Sequence, residues 1–335
     1  MNWKQVNYLF EMAYGFWKSQ IAFTAVESGL FTLLSDGERT ASEIASQIKT
    51  NKRATEMLLN ALVALGLLRK ANDKFFNTPI SNQYLVQGKP FYMGDSIHHM
   101  HNMWDNWSKL AKAIKTGKPV AFDGAGKRPD AHRTRDFIAA MQNIAKTKAT
   151  EVAKRLNLRG YYKVLDLGGG PGTYSIEFAR RNPRLNAIVF DLKDVIRLAK
   201  RYIKDAGMQD RISTIAGDCL KNDLGATLYD VVLVSNLLHA YDPETNIEIL
   251  KKCWKSLADN GRVVIHEFVL NRAKTHPQFG TIFRLNMLLG TIGGASYSEQ
   301  EYRDWLTKAG FKAIKRINLS SDSALLIGVK KPVGL

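Results

Sequence analysis

Five side chains spread along the C-terminal half are of types and spacing that do chemistry on a bound small molecule: Asp166, Asp191, Asp218, His239 and Glu267. Asp166 lies in Lys163-Val-Leu-Asp-Leu-Gly-Gly-Gly-Pro-Gly-Thr173, an apolar run that stops at three glycines and leads into a helical pattern over residues 173–181. Strand, glycine turn and helix in that order bring the backbone close to a ligand in an α/β sheet. Two cofactors compete for such a turn. A dinucleotide fingerprint requires G-x-G-x-x-G, whereas Gly168 and Gly170 are followed by Thr173 where the third glycine would stand. A carboxylate two residues before the first glycine suits an ammonium or sulfonium group better than a pyrophosphate. The turn therefore reads as a site for S-adenosylmethionine.

The other four residues fall at the ends of further apolar runs. Asp191 closes Ala187–Phe190 and can accept hydrogen bonds from both hydroxyls of a ribose, a feature shared with nucleotide dehydrogenases. Asp218 follows Ile212–Ala216, where it can take an adenine amino group with Cys219 packing beside the ring. His239 follows Val231–Ser235, and Glu267 ends Arg262–Phe268 beside His266. Helical patterns separate these runs, including Glu244–Leu257, and a hairpin region spans Phe311–Val329. Alternation of this kind gives a doubly wound α/β fold, a mostly parallel sheet covered on both faces, with ligands beyond the carboxyl ends of its strands.

The first part of the chain reads differently. Residues 3–30 have apolar positions at helical spacing. Thr40-Ala-Ser-Glu43 is a capping box for a helix through Ile48, and Asn51 opens another that is rich in apolar residues through Leu68. Leu68–Asn77 reads as a hairpin with Asn72-Asp73 at its tip. Two helices and a hairpin make a winged-helix pattern. Its would-be recognition helix, Ala54–Leu68, offers few groups able to read base edges, so burial against its own core or a second subunit is expected and DNA binding is not. His98, His99 and His101, with Trp104 and Trp107, lack matching carboxylate or cysteine ligands except Asp105 and read as packing residues; no metal is expected. Gly117–Asp130 reads as loop and Thr134–Leu158 as a helix joining two domains.

The 335 residues leave room for two domains, with 45% apolar residues and no run long enough to cross a bilayer. Cys219 and Cys253 are too few for a disulfide framework, and the N-terminus lacks a signal-peptide core, so a cytoplasmic protein is expected. The net charge is +17, and residues 101–200 hold 20 Lys and Arg against 9 Asp and Glu. That excess, in Lys109–Lys118, Lys127–Arg135 and Lys154–Lys163, reads as solvated surface, with RNA, a membrane or an acidic substrate as alternatives.

Val164-Leu-Asp-Leu-Gly-Gly-Gly-Pro-Gly172, Phe190-Asp-Leu192, Gly217-Asp218 and Leu238-His239 followed by Asp242-Pro-Glu244 together carry a resemblance. Residues 161–335 resemble the S-adenosylmethionine-dependent O-methyltransferases of the caffeate and acetylserotonin type, in their bacterial form. Residues 1–100 are similar to that family's winged-helix dimerisation domain, and 101–160 form a helical connector contributing to the substrate pocket. The resemblance implies a homodimer and assigns Gly168 and Gly170 to the methionine part of the cofactor, Asp191 to the ribose and Asp218 to the adenine. Leu192 and Cys219 would pack around it, and Ser235 stands where plant enzymes often have a lysine near the adenosine. His239 matches the general base and Glu267 the carboxylate that orients it. The acceptor pocket would draw on Met141, Phe283 and Met287, in an apolar stretch with Phe279, Ile282 and Leu288.

Two positions depart from the pattern. Ala240 replaces an aspartate directly after the histidine, and Ser296, in Gly293-Gly-Ala-Ser-Tyr-Ser298, stands where relatives place a second carboxylate. Glu299 lies three residues on. Either the base is less supported or the acceptor is more acidic than an ordinary phenol, such as an enol or thiol. The function expected is methyl transfer to a hydroxyl of a small aromatic or polyketide-like metabolite, with S- or C-methylation and nucleic-acid binding as alternatives.

Overall fold

The computed structural model describes residues 2–121 and 131–331. Residues 122–130, which hold most of the expected loop and part of the Lys127–Arg135 segment, lie outside the described residues. The chain divides into two compact units, one ending at Trp104 and the other beginning at Asp105.

The first unit is built of helices and one small sheet. Strands β1 (Arg39–Thr40), β2 (Leu68–Ala71) and β3 (Lys74–Asn77) pair antiparallel in the order β1-β3-β2. Asn72 and Asp73 at the hairpin tip have φ of +46° and +63°, the left-handed pair that matches the twist of the flanking strands. Thr40 and Glu43 satisfy each other's backbone amides at the start of helix Ala41–Gln47. Asn51 accepts from the Ala54 amide at the start of helix Lys52–Ala64. That helix stops short of the expected Leu68, because Leu65 caps it, Gly66 turns with φ +73° and Leu68 begins β2. Burial on it is one-sided: Thr55, Leu59 and Leu62 face the core while Met57 is exposed. Helix Trp3–Ala13 buries none of its residues, and Trp3, Tyr8, Leu9, Phe10 and Met12 are all exposed.

The second unit holds a seven-stranded sheet. Its strands are β4 (Lys163–Leu167), β5 (Asn186–Asp191), β6 (Ile212–Ala216), β7 (Tyr229–Ser235), β8 (Leu257–Glu267), β9 (Lys312–Asn318) and β10 (Ala324–Val329), in the order β6-β5-β4-β7-β8-β10-β9. β4 to β8 are parallel, and β10 runs antiparallel to both of its neighbours. Alternate side chains go to opposite cores, as the period of a strand requires. Leu165, Val232, Val234, Val263 and Ile265 join one core, which also takes in Ile249, Leu250 and Trp305. Val164, Val231, Leu233 and Val264 join the other, with Val152, Phe178 and Ile196. The order reverses between β4 and β7, and the glycine turn and the histidine turn follow those two strands.

Candidate active site

The glycine turn is shaped by two constraints. Gly168 has φ +67°, and a Cβ there would stand 2.9 Å from Leu237 Cδ1, so backbone and space both demand glycine. Gly170 has φ +54°, and its amide donates to Asp191 Oδ2 at 2.8 Å. The other Asp191 oxygen accepts from the Leu192 amide at 2.7 Å. One carboxylate thus ties the turn after β4 to the end of β5, and burial raises its pKa against those two backbone bonds.

Asp166 is fully buried beneath the turn. Its Oδ2 accepts from Ser175 Oγ at 2.7 Å, and its Oδ1 has no partner among the described residues. Burial pushes its pKa up to about 6. An orphaned, desolvated carboxylate oxygen calls for a donor or a cation from a ligand. S-adenosylmethionine, with its ammonium and sulfonium groups, fits that requirement. At the end of β6, Asp218 Oδ1 accepts from the Leu220 amide at 3.0 Å, while Cys219 is buried and Leu192 exposed. Tyr241 adds a group that sequence reasoning missed, with its hydroxyl 3.8 Å from Cys219 Sγ. Gln142 and Thr173 are hydrogen-bonded to each other, which links helix Ala131–Leu156 to the first residue of helix Thr173–Arg181.

His239 sits in a single 3-10 turn, Leu238–Ala240, after β7. Asn246 holds that turn, donating from Nδ2 to the carbonyls of Leu238 at 2.9 Å and Tyr241 at 3.2 Å. Asp242 caps the following helix, Pro243–Ser256, by accepting from the Thr245 amide at 2.8 Å. The imidazole Nδ1 lies 2.9 Å from Glu267 Oε2, and the His239 amide donates to Glu267 Oε1 at 3.3 Å. Glu267 is fully buried at the end of β8. The ring of Phe283 meets the imidazole at 5.0 Å and 83°. Phe283 also packs on Phe268 at 5.0 Å, and Phe268 on Phe279 at 4.9 Å, so the ring against the imidazole belongs to a cluster of three phenylalanines.

The two departures have structural consequences. Ala240 brings no polar group. The Ser296 hydroxyl is buried with no partner among the described residues, and Glu299 is committed to Arg303 and Arg316, at 2.7 Å each. Among the described residues, Glu267 is the carboxylate paired with His239. The backbone at Gly294 lies close enough to the histidine turn that a Cβ would stand 2.3 Å from the His239 carbonyl.

Other expected residues are placed less centrally. Met287 is buried on helix Gln278–Gly290, which also carries Phe283, and Met141 is half-buried on helix Ala131–Leu156. Ser235 turns its hydroxyl to His266, 2.9 Å from Nδ1. The His266 Nε2 reaches Ser323 Oγ at 3.1 Å, and burial lowers the imidazole pKa to about 3. In the first unit, Glu27 lies 2.6 Å from His101 Nδ1 and 3.6 Å from His98 Nδ1. Among the described residues no cluster of three or more His, Cys, Asp or Glu could hold a metal ion, and no helix is long and apolar enough to cross a membrane.

Comparison with known proteins shows the family. An O-methyltransferase domain matches residues 107–312 and an O-methyltransferase dimerisation domain matches 10–87. The chain is 34% identical over 328 residues to the 3-hydroxy-5-methyl-1-naphthoate 3-O-methyltransferase of Streptomyces sahachiroi, covering 96% of this chain and 94% of that one. It is 28% identical to the tetracenomycin polyketide synthesis 8-O-methyl transferase of Streptomyces glaucescens, covering 96% of each. Among solved structures, an O-methyltransferase family protein from Burkholderia thailandensis superposes with a TM-score of 0.87 at 27% identity, over 97% of this chain and 98% of that one. Human N-acetylserotonin methyltransferase in complex with S-adenosylmethionine has the same fold, with a TM-score of 0.90 at 23% identity and 98% of both chains covered. The chain belongs to the O-methyltransferase family and is an S-adenosylmethionine-dependent O-methyltransferase.

Proposed function

We propose that this enzyme methylates a hydroxyl of a small aromatic or polyketide-like molecule, with His239 as general base and Glu267 orienting it. The contact between His239 Nδ1 and Glu267 Oε2, 2.9 Å long, carries the reading. An ionised carboxylate only accepts, so Nδ1 holds the proton and Nε2 keeps its lone pair for an incoming hydroxyl. A phenol with a pKa of ~10 is a poor nucleophile at neutral pH, and Nε2 takes its proton as the oxygen attacks. When bound, S-adenosylmethionine supplies the methyl group, already activated on sulfur. The chain aligns the acceptor against Phe283, Met287 and Met141 and keeps water from the reacting atoms.

In this reading Gly168, Gly170 and Asp166 hold the methionine end of the cofactor, Asp191 the ribose and Asp218 the adenine. Leu192 and Cys219 flank the base, and Ser235 lines the same strand end with its hydroxyl engaged by His266. The names of the two Streptomyces relatives, a hydroxynaphthoate enzyme and a polyketide enzyme, support the acceptor class. The exposed apolar residues of helix Trp3–Ala13, together with the dimerisation-domain match, support a homodimer formed through the N-terminal unit. The cytoplasm is the compartment we assign to it.

Transfer of a labelled methyl group to a panel of phenols, enols and thiols tests the reading. Labelled phenol or enol ethers are expected, and label found only on sulfur or carbon contradicts it. Light scattering is expected to give twice the 37.6 kDa chain mass, and a stable monomer removes the assembly.

A further inference from the structure

Lys148 is a cation with no direct counter-ion among the described residues. It projects from helix Ala131–Leu156, partly buried, and among the described residues its ammonium makes no hydrogen bond or ion pair. Its Nζ lies 5.0 Å from the ring centroid of Phe268. Asp322, Glu151 and Glu267 act on it only through space. Two of these are engaged elsewhere: Glu151 accepts from Ser320, and Glu267 is paired with His239. Loss of hydration pushes the amine's pKa down, with those three carboxylates opposing it. A cation–π contact recovers part of the cost of taking an ammonium out of water, and an anionic ligand recovers more.

The ring under Lys148 leads to the reaction centre. Phe268 packs against Phe283 at 5.0 Å, and Phe283 against the His239 imidazole at 5.0 Å. Cation, two rings and base thus form one line of contacts at the carboxyl end of β8. We infer that Lys148 receives an anionic substituent, a carboxylate, on a fused-ring acceptor whose hydroxyl lies at His239. The inference rests on His239 as the base, because that places the hydroxyl end. The apolar rings take the body of the acceptor and the ammonium fixes which end points away from the base. Lys148 is thereby a specificity-determining residue: it selects aromatic acids over neutral phenols of the same shape.

The test is a binding measurement on the full-length enzyme loaded with S-adenosylhomocysteine, so it needs no turnover and can fail independently of the methyl-transfer assay. Calorimetry compares 1-naphthoate with the isosteric neutral 1-naphthamide. The wild type is expected to prefer the acid by ~10-fold or more. Lys148→Met is expected to lose that preference, and Lys148→Arg to keep at least part of it. S-adenosylhomocysteine binding by each variant reports that it is folded. Equal affinity of the wild type for the two probes, no detectable naphthoate binding, or a preference that survives in Lys148→Met overturns the inference.

Discussion

Two histidines flank the carboxyl end of β8 and live in opposite worlds. His239, on one side, meets one buried carboxylate, an aromatic edge and partial solvent. His266, within β8 itself, is fully enclosed between two hydroxyls and packs under Tyr174 at 5.6 Å. The side chains of consecutive strand residues leave opposite faces of a sheet. Glu267 therefore reaches across to His239, while its neighbour His266 turns to Ser235 and Ser323. Histidine content alone says nothing about chemistry. The proposed base is the imidazole with an acidic partner at Nδ1, and the other is held neutral by burial.

The comparison breaks most easily at the base. His239→Ala should lower turnover by ~10²-fold or more while cofactor affinity measured by calorimetry stays as in the wild type. Retained turnover would reduce the site to alignment alone. Asp191→Ala should abolish saturable cofactor binding, since this carboxylate shapes the glycine turn and is the proposed ribose ligand; unchanged affinity would remove that assignment.

On the other side of the strand, the expected effect is on stability. The folded-state pKa of His266 is about 3, below the unfolded value of ~6.5, so acidification protonates the unfolded chain first. Stability from this group is full above pH ~6.5 and is lost as pH falls towards 3. Between pH 7.5 and 5 it should cost the wild type about 2 kcal/mol, and His266→Asn should flatten that limb in urea titrations. An identical slope in the variant would show that His266 is not held neutral.

Asp166 gives the smallest effect and the opposite sign. Its folded pKa of about 6 lies above the ordinary carboxylate value, so protonation stabilises the fold as pH drops through 6. In the proposed site the cationic cofactor takes the ionised form, so its affinity should weaken by up to ~10-fold for each unit of pH below 6. Asp166→Asn should lose most of that dependence, and a parallel pH profile in the variant would separate Asp166 from the cofactor.

What the sequence made legible follows from distance along the chain. The glycine turn, the acids at the ends of β4, β5 and β6, and the capping box at Thr40 are local signals, written in neighbouring residues. The His239–Glu267 contact spans 28 residues, and in the sequence only the resemblance to a family points to it. Contacts from remote segments left no trace in the pattern. Ser323 reaches His266 from 57 residues away, and Lys148 reaches Phe268 from helix Ala131–Leu156. Glu299 stood three residues from Ser296 as a candidate support, yet the turn of helix Glu299–Lys308 and the strand β9 gave it two arginines. The helix ends at Ala64 although Leu65, Leu67 and Leu68 continue its apolar character, and Gly66 is the break that apolar spacing passes over.

The central claim is that Glu267 acts on the reaction through His239, and a double-mutant cycle on single-turnover methyl transfer tests it most directly. Glu267→Gln alone is expected to slow transfer by at least ~10-fold, because the amide can no longer fix Nδ1 as the donor. In the His239→Ala background the same substitution should cost nothing further, since residues that work as one unit are not additive. A full and equal loss from Glu267→Gln with His239 already removed would contradict the account.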